Sequence, residues 1–401
     1  MERIFESDSY ARTATARVVS CIQVADGFEV QLDRMLFYPG GGGQPEDRGT
    51  VGGIPVLGFR KLESGEYLHL LAQPVQGEVE LVLDWPRRYD HMQQHTGQHL
   101  ITVAASAEFG LKTIAFHIGD DVCDIEFDAA NVDRARLDRL EKRVNERIAE
   151  GRGMRITTAD REAVERGEIR SRLLPQHLEG PLRIVEIDGL DRNTCGGTHL
   201  SNTSELRQVK LLHTEKLSRG TRVYYVAGGR VLAQLARTLE RQDALTAALQ
   251  CGPEQHMTVL GNMLARSREL EKTAKQLLLE LGRASAEALI REPGPVVFLH
   301  RPDGDAEFLR AVASAVSDRR PDLVAILVAG QAEPPRGGAG GGSDRAGPAG
   351  SFAVVGPEEK VADLGPRVRD LLDGKGGGRG TLFQGKAGSL KRLDEVKRLV
   401  S

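Results

Sequence analysis

The chain has 401 residues, enough for roughly two to four domains that each bury a core. A formal net charge of -3 excludes a globally basic nucleic-acid binder, so any RNA contact has to use local basic patches. Aromatics at 4% disfavour base stacking as the main mode of recognition. No apolar run reaches the ~18 residues of a membrane span. Cys21, Cys123, Cys195 and Cys251 are scattered, as in a reducing compartment, and the acidic N-terminus carries no apolar signal core. The expected location is cytoplasmic, with no membrane partner.

Residues 1–84 read as strands and turns. Ala16 to Val24, Phe28 to Leu32, Thr50 to Leu57, Tyr67 to Leu71 and Glu78 to Leu83 are short, rich in Val, Ile and Leu, and punctuated by Gly and Asp, a pattern that predicts a small β-barrel. Between them runs Phe37-Tyr38-Pro39 followed by Gly40 to Gly43, Gln44 and Pro45. Four glycines bury no side chain, so this run suits a place where backbone approaches a ligand or offers N–H donors. The bland alternative is a flexible hairpin loop. No Gly-Lys-Ser/Thr follows, so it is not a Walker A loop.

A helix is predicted from Asp84, as N-cap, to about Gly110, with Pro86 tolerated in its first turn. His91, His95 and His99 recur every four residues and share one face of it. Two imidazoles at that spacing can reach one metal ion. Cys195 and His199 form a second pair, separated by Gly196-Gly197 and Thr198, and those glycines predict a tight loop. Histidines at helical spacing are often plain core residues, but two such pairs in a chain with 10 His and 4 Cys outweigh that reading. One Cys with three His makes a tetrahedral zinc shell. Met92 and Thr96 stand where a His-Glu-x-x-His protease needs its Glu, which argues against a zincin-type protease.

Strands are expected over Lys112 to Ile118 and Cys123 to Phe127, then an amphipathic helix from Asp133 to about Glu150 with Leu137, Leu140, Val144 and Ile148 inward. A charged helix covers Arg161 to Glu168. Strands follow at Arg183 to Asp188, Glu205 to His213 and Thr221 to Ala227, so residues 85–229 predict an α+β domain. Helices over Arg230 to Gln250 and Glu254 to Glu292, broken at Gly252-Pro253, read as an antiparallel hairpin spanning 230–292 and serving as spacer or dimer arm. Residues 293–401 form an α/β module with strands Val296 to His300 and Leu323 to Ala329 around a helix Ala306 to Asp318. Arg336 to Gly350, with seven glycines, reads as a loop. From Gly374 onward seven Lys or Arg, including Lys375 and Arg379, face Asp394 and Glu395, a local excess suited to a phosphate backbone.

His95-Thr96-Gly97-Gln98-His99 with Cys195-Gly196-Gly197-Thr198-His199 resembles the zinc signature of the editing domain shared by alanyl-tRNA synthetases and free-standing AlaX trans-editing proteins. The Phe37 to Pro45 loop is similar to their glycine-rich motif, Glu215-Lys216 and Arg219 to Tyr225 to the end of the editing core, and Gly374 to Arg379 to the DHHA1-type tail. The likeness covers nearly the whole chain in order and lacks a class II aminoacylation domain, which matches the long form of AlaX. It implies hydrolysis of tRNA(Ala) charged with the wrong amino acid, usually serine and sometimes glycine. The zinc ligands would be His95, His99, Cys195 and His199, one Zn2+ per chain, with His95 and His99 acting through the metal. Gly42, Gly43 and Gln44 would lie near the acylated 3′ end, and Lys375 and Arg379 would contact tRNA. His91, and behind it His117, are reserve candidates for proton transfer. The C-terminal half is a candidate homodimer surface. ATP binding enters from the resemblance alone, with no residue assigned to it. Two departures are Gly40, where the family often has Glu, and Ala115, where a polar side chain is common. The alternatives are a zinc-stapled tRNA-binding module without catalysis and an unrelated zinc hydrolase of small esters or peptides.

Overall fold

The computed structural model describes residues 1–171, 181–331 and 349–400. The chain is a mixed α+β protein of two compact units, Met1–Ala244 and Leu245–Ser401.

The first unit opens with a closed six-stranded barrel, in the order Thr13–Val24, Gly27–Leu32, Tyr67–Leu71, Ile54–Lys61, Gly49–Val51 and Glu78–Leu83. Period-2 patterning fills it: in Glu78–Leu83 the residues Val79, Leu81 and Leu83 point inward and their neighbours outward. Val30, Leu32, Leu36, Phe37, Val51 and Leu71 complete that core. The single strand expected over Thr50 to Leu57 is two strands. Gly52 and Gly53 take φ of 58° and 81°, the left-handed pair that a two-residue hairpin turn demands.

A 25-residue helix, Trp85–Phe109, leaves the barrel. Asp84 caps it by accepting from Arg87 N at 3.2 Å, and Gly110 ends it at φ 61°. Every residue from His91 to Thr102 is buried, polar ones included. Met92, Leu100 and Ile101 pack into the main core with Leu137, Leu140, Val144 and Ile148 of the helix Arg134–Ala149. The same core takes Ile125, Val223 and Tyr225 from an antiparallel sheet in the order Val209–Leu217, Gly220–Ala227, Cys123–Phe127, Thr113–Ile118. Gly97 permits the close approach, since a Cβ there would lie 3.1 Å from that of Ala227.

A second, three-stranded antiparallel sheet, Met154–Ala159, Leu182–Ile187 and Asp191–Thr194, delivers the chain to Cys195. The strand expected from Glu205 begins only at Val209. Residues Thr203–Leu206 instead make a 3-10 turn, closed by a capping box between Asn202 and Glu205. The helices Gly229–Leu249 and His256–Arg291 follow, the first with no buried residue and the second with Gly282, Ala286 and Leu289 buried near its end.

The second unit holds a five-stranded mixed sheet ordered Val296–Arg301, Val324–Gly330, Gly350–Val355, Leu382–Ala387, Lys375–Arg379. The first two strands are parallel, joined through the helix Ala306–Arg319; the remaining pairs are antiparallel. The glycine-rich run contains an exposed edge strand, Lys375–Arg379, paired with Leu382–Ala387. The loop read at 336–350 lies outside the described residues except for 349 and 350.

Candidate metal centre

The fold brings His95 and His99, one turn apart on the buried helix, against Cys195 and His199 on the loop beyond Thr194. One ligating atom from each of the four lies within 4.8 Å of the others. Cys195 Sγ is 3.5 Å from His95 Nε2 and 3.2 Å from His199 Nε2. Ligands about 2.0–2.3 Å from a tetrahedral zinc are separated by about these distances, so the donor set fits that ion in kind and in spacing. The backbone N–H of Gly197 points at Cys195 Sγ from 3.4 Å, as suits a thiolate. Burial, and then His95 and His99 nearby, hold the His199 pKa well below its usual value, which keeps its lone pair available for a metal.

Two of the outer nitrogens, on His95 and His199, are held as well. His95 Nδ1 is 2.8 Å from Gln44 Oε1, and His199 Nδ1 is 3.3 Å from Thr96 Oγ1, which also accepts from Leu200 N at 3.2 Å. Such partners orient metal-ligating imidazoles. Arg183 clamps the loop from behind, donating through Nη1 to Cys195 O at 2.6 Å and Gly197 O at 2.9 Å, and through Nε to Glu6 O at 3.0 Å. Burial lowers the Arg183 pKa.

His91 stands outside this set. It is buried one turn earlier, with its pKa lowered to about 4 by burial and by the Arg87 charge. Gln44 is 2% exposed and turned into the protein. Gly42 and Gly43 line a cleft of about 420 Å³ whose other wall is Lys112 to His117. Gly43 O accepts from Ile118 N at 3.0 Å, and the Phe116 ring of this wall lies 5.3 Å from that of His95. At the rim, exposed His117 approaches Asp124 Oδ2 through Nδ1 at 3.0 Å. Lys375 and Arg379 lie in the other unit, exposed on its edge strand.

Several supporting side chains were not legible in the sequence. Gln93 bridges Glu205 O and Gly229 N, and Gln94 exchanges two 2.9 Å bonds with the backbone of Ala227. Arg88 and Asp47, both wholly buried, tie the helix to the barrel. The one available signal was negative: a helix so polar at Gln93, Gln94 and Gln98 is buried only if each amide has a partner.

Helix, loop and sheet thus bring together a Cys/His cluster that could hold a metal ion, in a domain of mixed α+β architecture. Residues 182–224 match the Threonyl and Alanyl tRNA synthetase second additional domain. Alanyl-tRNA editing protein Aarsd1 of Rattus norvegicus is 37% identical over 100% of this chain and 97% of its own. Alanyl-tRNA editing protein AlaX-L of Pyrococcus horikoshii is 31% identical over 73% of this chain and 74% of its own. Alanine--tRNA ligase of Pyrobaculum calidifontis is 30% identical over 98% of this chain, but over 43% of its own length. The C-Ala domain of Aquifex aeolicus alanyl-tRNA synthetase aligns with 26% of this chain at 21% identity and a TM-score of 0.20, too low to support an argument. The chain belongs to the alanyl-tRNA editing protein family.

Proposed function

We propose that this protein is a trans-editing hydrolase that deacylates mischarged tRNA(Ala), with Ser-tRNA(Ala) the first substrate and Gly-tRNA(Ala) the second. The observation that carries this reading is the convergence of His95, His99, Cys195 and His199 beside a cleft, in a chain of the alanyl-tRNA editing family. The four residues would hold one Zn2+. When bound, zinc would supply Lewis-acid polarisation in a water-poor site.

The rest is positioning. An aminoacyl ester is already activated, so hydrolysis needs a water aligned on the carbonyl carbon. The new C–O bond to water forms, the ester C–O bond to the terminal ribose breaks, and the ribose oxygen leaves with a proton. Gly42 and Gly43, which carry no side chain, allow the acyl end close to the backbone wall opposite Thr113 and Ala115. His117, with Asp124 behind it, and His91 are the candidate proton carriers. Lys375 and Arg379 are assigned to the tRNA backbone, as exposed cations on an edge strand. The expected division into a barrel (1–84), an editing domain (85–229), a helical linker (230–292) and a DHHA1-like tail (293–401) belongs to the same proposal. So do cytoplasmic location and a homodimer formed through the C-terminal half.

A second reading has one observation in its favour. Four protein ligands would close a tetrahedral shell, as in structural zinc sites. A zinc-stapled tRNA-binding module would bind tRNA without turnover. The deciding measurement is release of labelled amino acid from Ser-tRNA(Ala) and Ala-tRNA(Ala) by zinc-loaded protein and by Cys195→Ala. Loss of serine with alanine spared, reduced to background in the variant, is the expected outcome. Tight tRNA binding and bound zinc with no release would leave the binding module standing instead.

A further inference from the structure

We infer that Gln44 is a positioning residue of the metal centre: its carboxamide sets the tautomer and aim of His95 and ties the glycine-rich loop to the metal loop. The inference rests on the metal reading above. Gln44 Oε1 faces two groups, Thr198 N at 3.1 Å and His95 Nδ1 at 2.8 Å, while Gln44 Nε2 donates to Thr198 Oγ1 at 2.8 Å. A backbone N–H can only donate, so the oxygen has to be the atom beside Thr198 N, which fixes the amide orientation. The proton between Gln44 and His95 then belongs to Nδ1. The lone pair is left on Nε2, the atom nearest Cys195 Sγ.

Glycines in two loops bear this out independently. Gly40 to Gly43 all have positive φ, and Gly41 and Gln44 exchange two 3.0 Å backbone hydrogen bonds. This tight reversal turns the Gln44 side chain inward. On the facing loop, a Cβ at Gly197 would lie 2.3 Å from His95 Cε1, 2.5 Å from His95 Nδ1 and 2.7 Å from Gln44 Oε1. A Cβ at Gly196 would meet nothing within 4 Å. The second glycine of the Cys195 loop therefore makes room for the Gln44–His95 contact. Gly42 and Gly43 form a wall of the cleft, so the next residue, Gln44, joins that wall to His95.

The test uses the full chain and two substitutions. Gln44→Met keeps the volume and removes the acceptor. Gln44→Glu keeps an acceptor for both donors, and the Thr198 hydroxyl can rotate to donate to it. Zinc affinity is read by chelator competition, and ligand geometry by the visible spectrum of the cobalt-substituted protein. Gln44→Met is expected to weaken zinc about 10–100-fold and alter the cobalt spectrum, with Gln44→Glu staying within about threefold of the parent. If Gln44→Met fails to fold, Gly197→Ala, which pushes the two side chains apart with both present, should give the same cobalt change. Unchanged metal binding with a raised KM for Ser-tRNA(Ala) would make Gln44 a substrate contact and overturn the inference. Equal weakening in both Gln44 variants with parental spectra would reduce it to packing. A parent protein that takes up neither zinc nor cobalt would overturn the metal reading itself, and is seen before any substitution is made.

Discussion

Two buried histidine environments in the first unit differ in what surrounds the imidazole. His69, fully buried in the barrel, packs edge-on against Phe37 and Phe59 at ring distances of 5.8 and 5.4 Å. His95, His99 and His199, nearly as buried, face one another and Cys195 instead, with ring distances of 4.3 to 5.1 Å. Burial alone keeps an imidazole neutral, and His69 shows that neutrality is not a site. What separates the two regions is convergence. In the helix and loop the ligating atoms converge and the outer nitrogens of His95 and His199 are held, whereas in the barrel the ring serves as core.

The comparison breaks most sharply at the metal loop. Gly197→Ala should cost at least tenfold in zinc affinity and a parallel share of deacylation, because the new methyl group displaces His95 or Gln44. Gly196→Ala, one residue away and exposed, should stay within about threefold in zinc affinity. Metal stoichiometry after dialysis reads both; equal effects would mean that loop flexibility, not the space beside His95, decides.

At the join between barrel and helix the effect is on stability. Asp47 Oδ2 accepts from Arg88 Nε at 2.8 Å, from Arg88 Nη2, and from Tyr38 N at 2.6 Å. Arg88 also donates to Ser9 O and Leu36 O, each at 3.0 Å. Asp47→Ala strands a buried guanidinium and should cost about 3–5 kcal/mol in urea unfolding. The double variant Asp47→Leu with Arg88→Met removes both charges and should cost less. A double variant as unstable as the single one would place the importance of Arg88 in its backbone contacts, not in its charge.

What the sequence made legible follows the range of the interaction. The histidine helix was readable to within a residue because its signals are local: Asp84, Pro86, the four-residue spacing and Gly110. The Gly52-Gly53 turn and the Asn202 to Glu205 capping box carried equally local signals that a run of strand-forming residues concealed. The edge strand at Lys375–Arg379 defied its composition, since three consecutive glycines have almost no strand preference and the pairing with Leu382–Ala387 supplies the order. The pairing of Gln44 with His95 spans 51 residues and that with Thr198 spans 154. No local pattern encodes such contacts, so the place of Gln44 against His95 could not be read from the sequence.

The barrel side of the comparison is sharpened by pH. Burial lowers the pKa of His69 to about 4, from the 6.5 usual for an imidazole. Below pH 6.5 the unfolded chain takes up a proton that the folded barrel refuses, so stability falls as pH drops from about 6.5 to about 4 and levels off below that. The shift corresponds to roughly 3–4 kcal/mol at most. His69→Phe, which keeps an apolar ring between Phe37 and Phe59, should remove this part of the slope and leave stability at pH 8 within about 1 kcal/mol of the parent. Urea midpoints at pH 5 and pH 8 give the difference directly. His91, with a similar lowered pKa, adds a slope of the same sign, so the variant should flatten the profile without abolishing it. A parent and variant that lose stability equally between pH 8 and pH 5 would mean that the barrel admits the proton, and that His69 is less sealed than its packing implies.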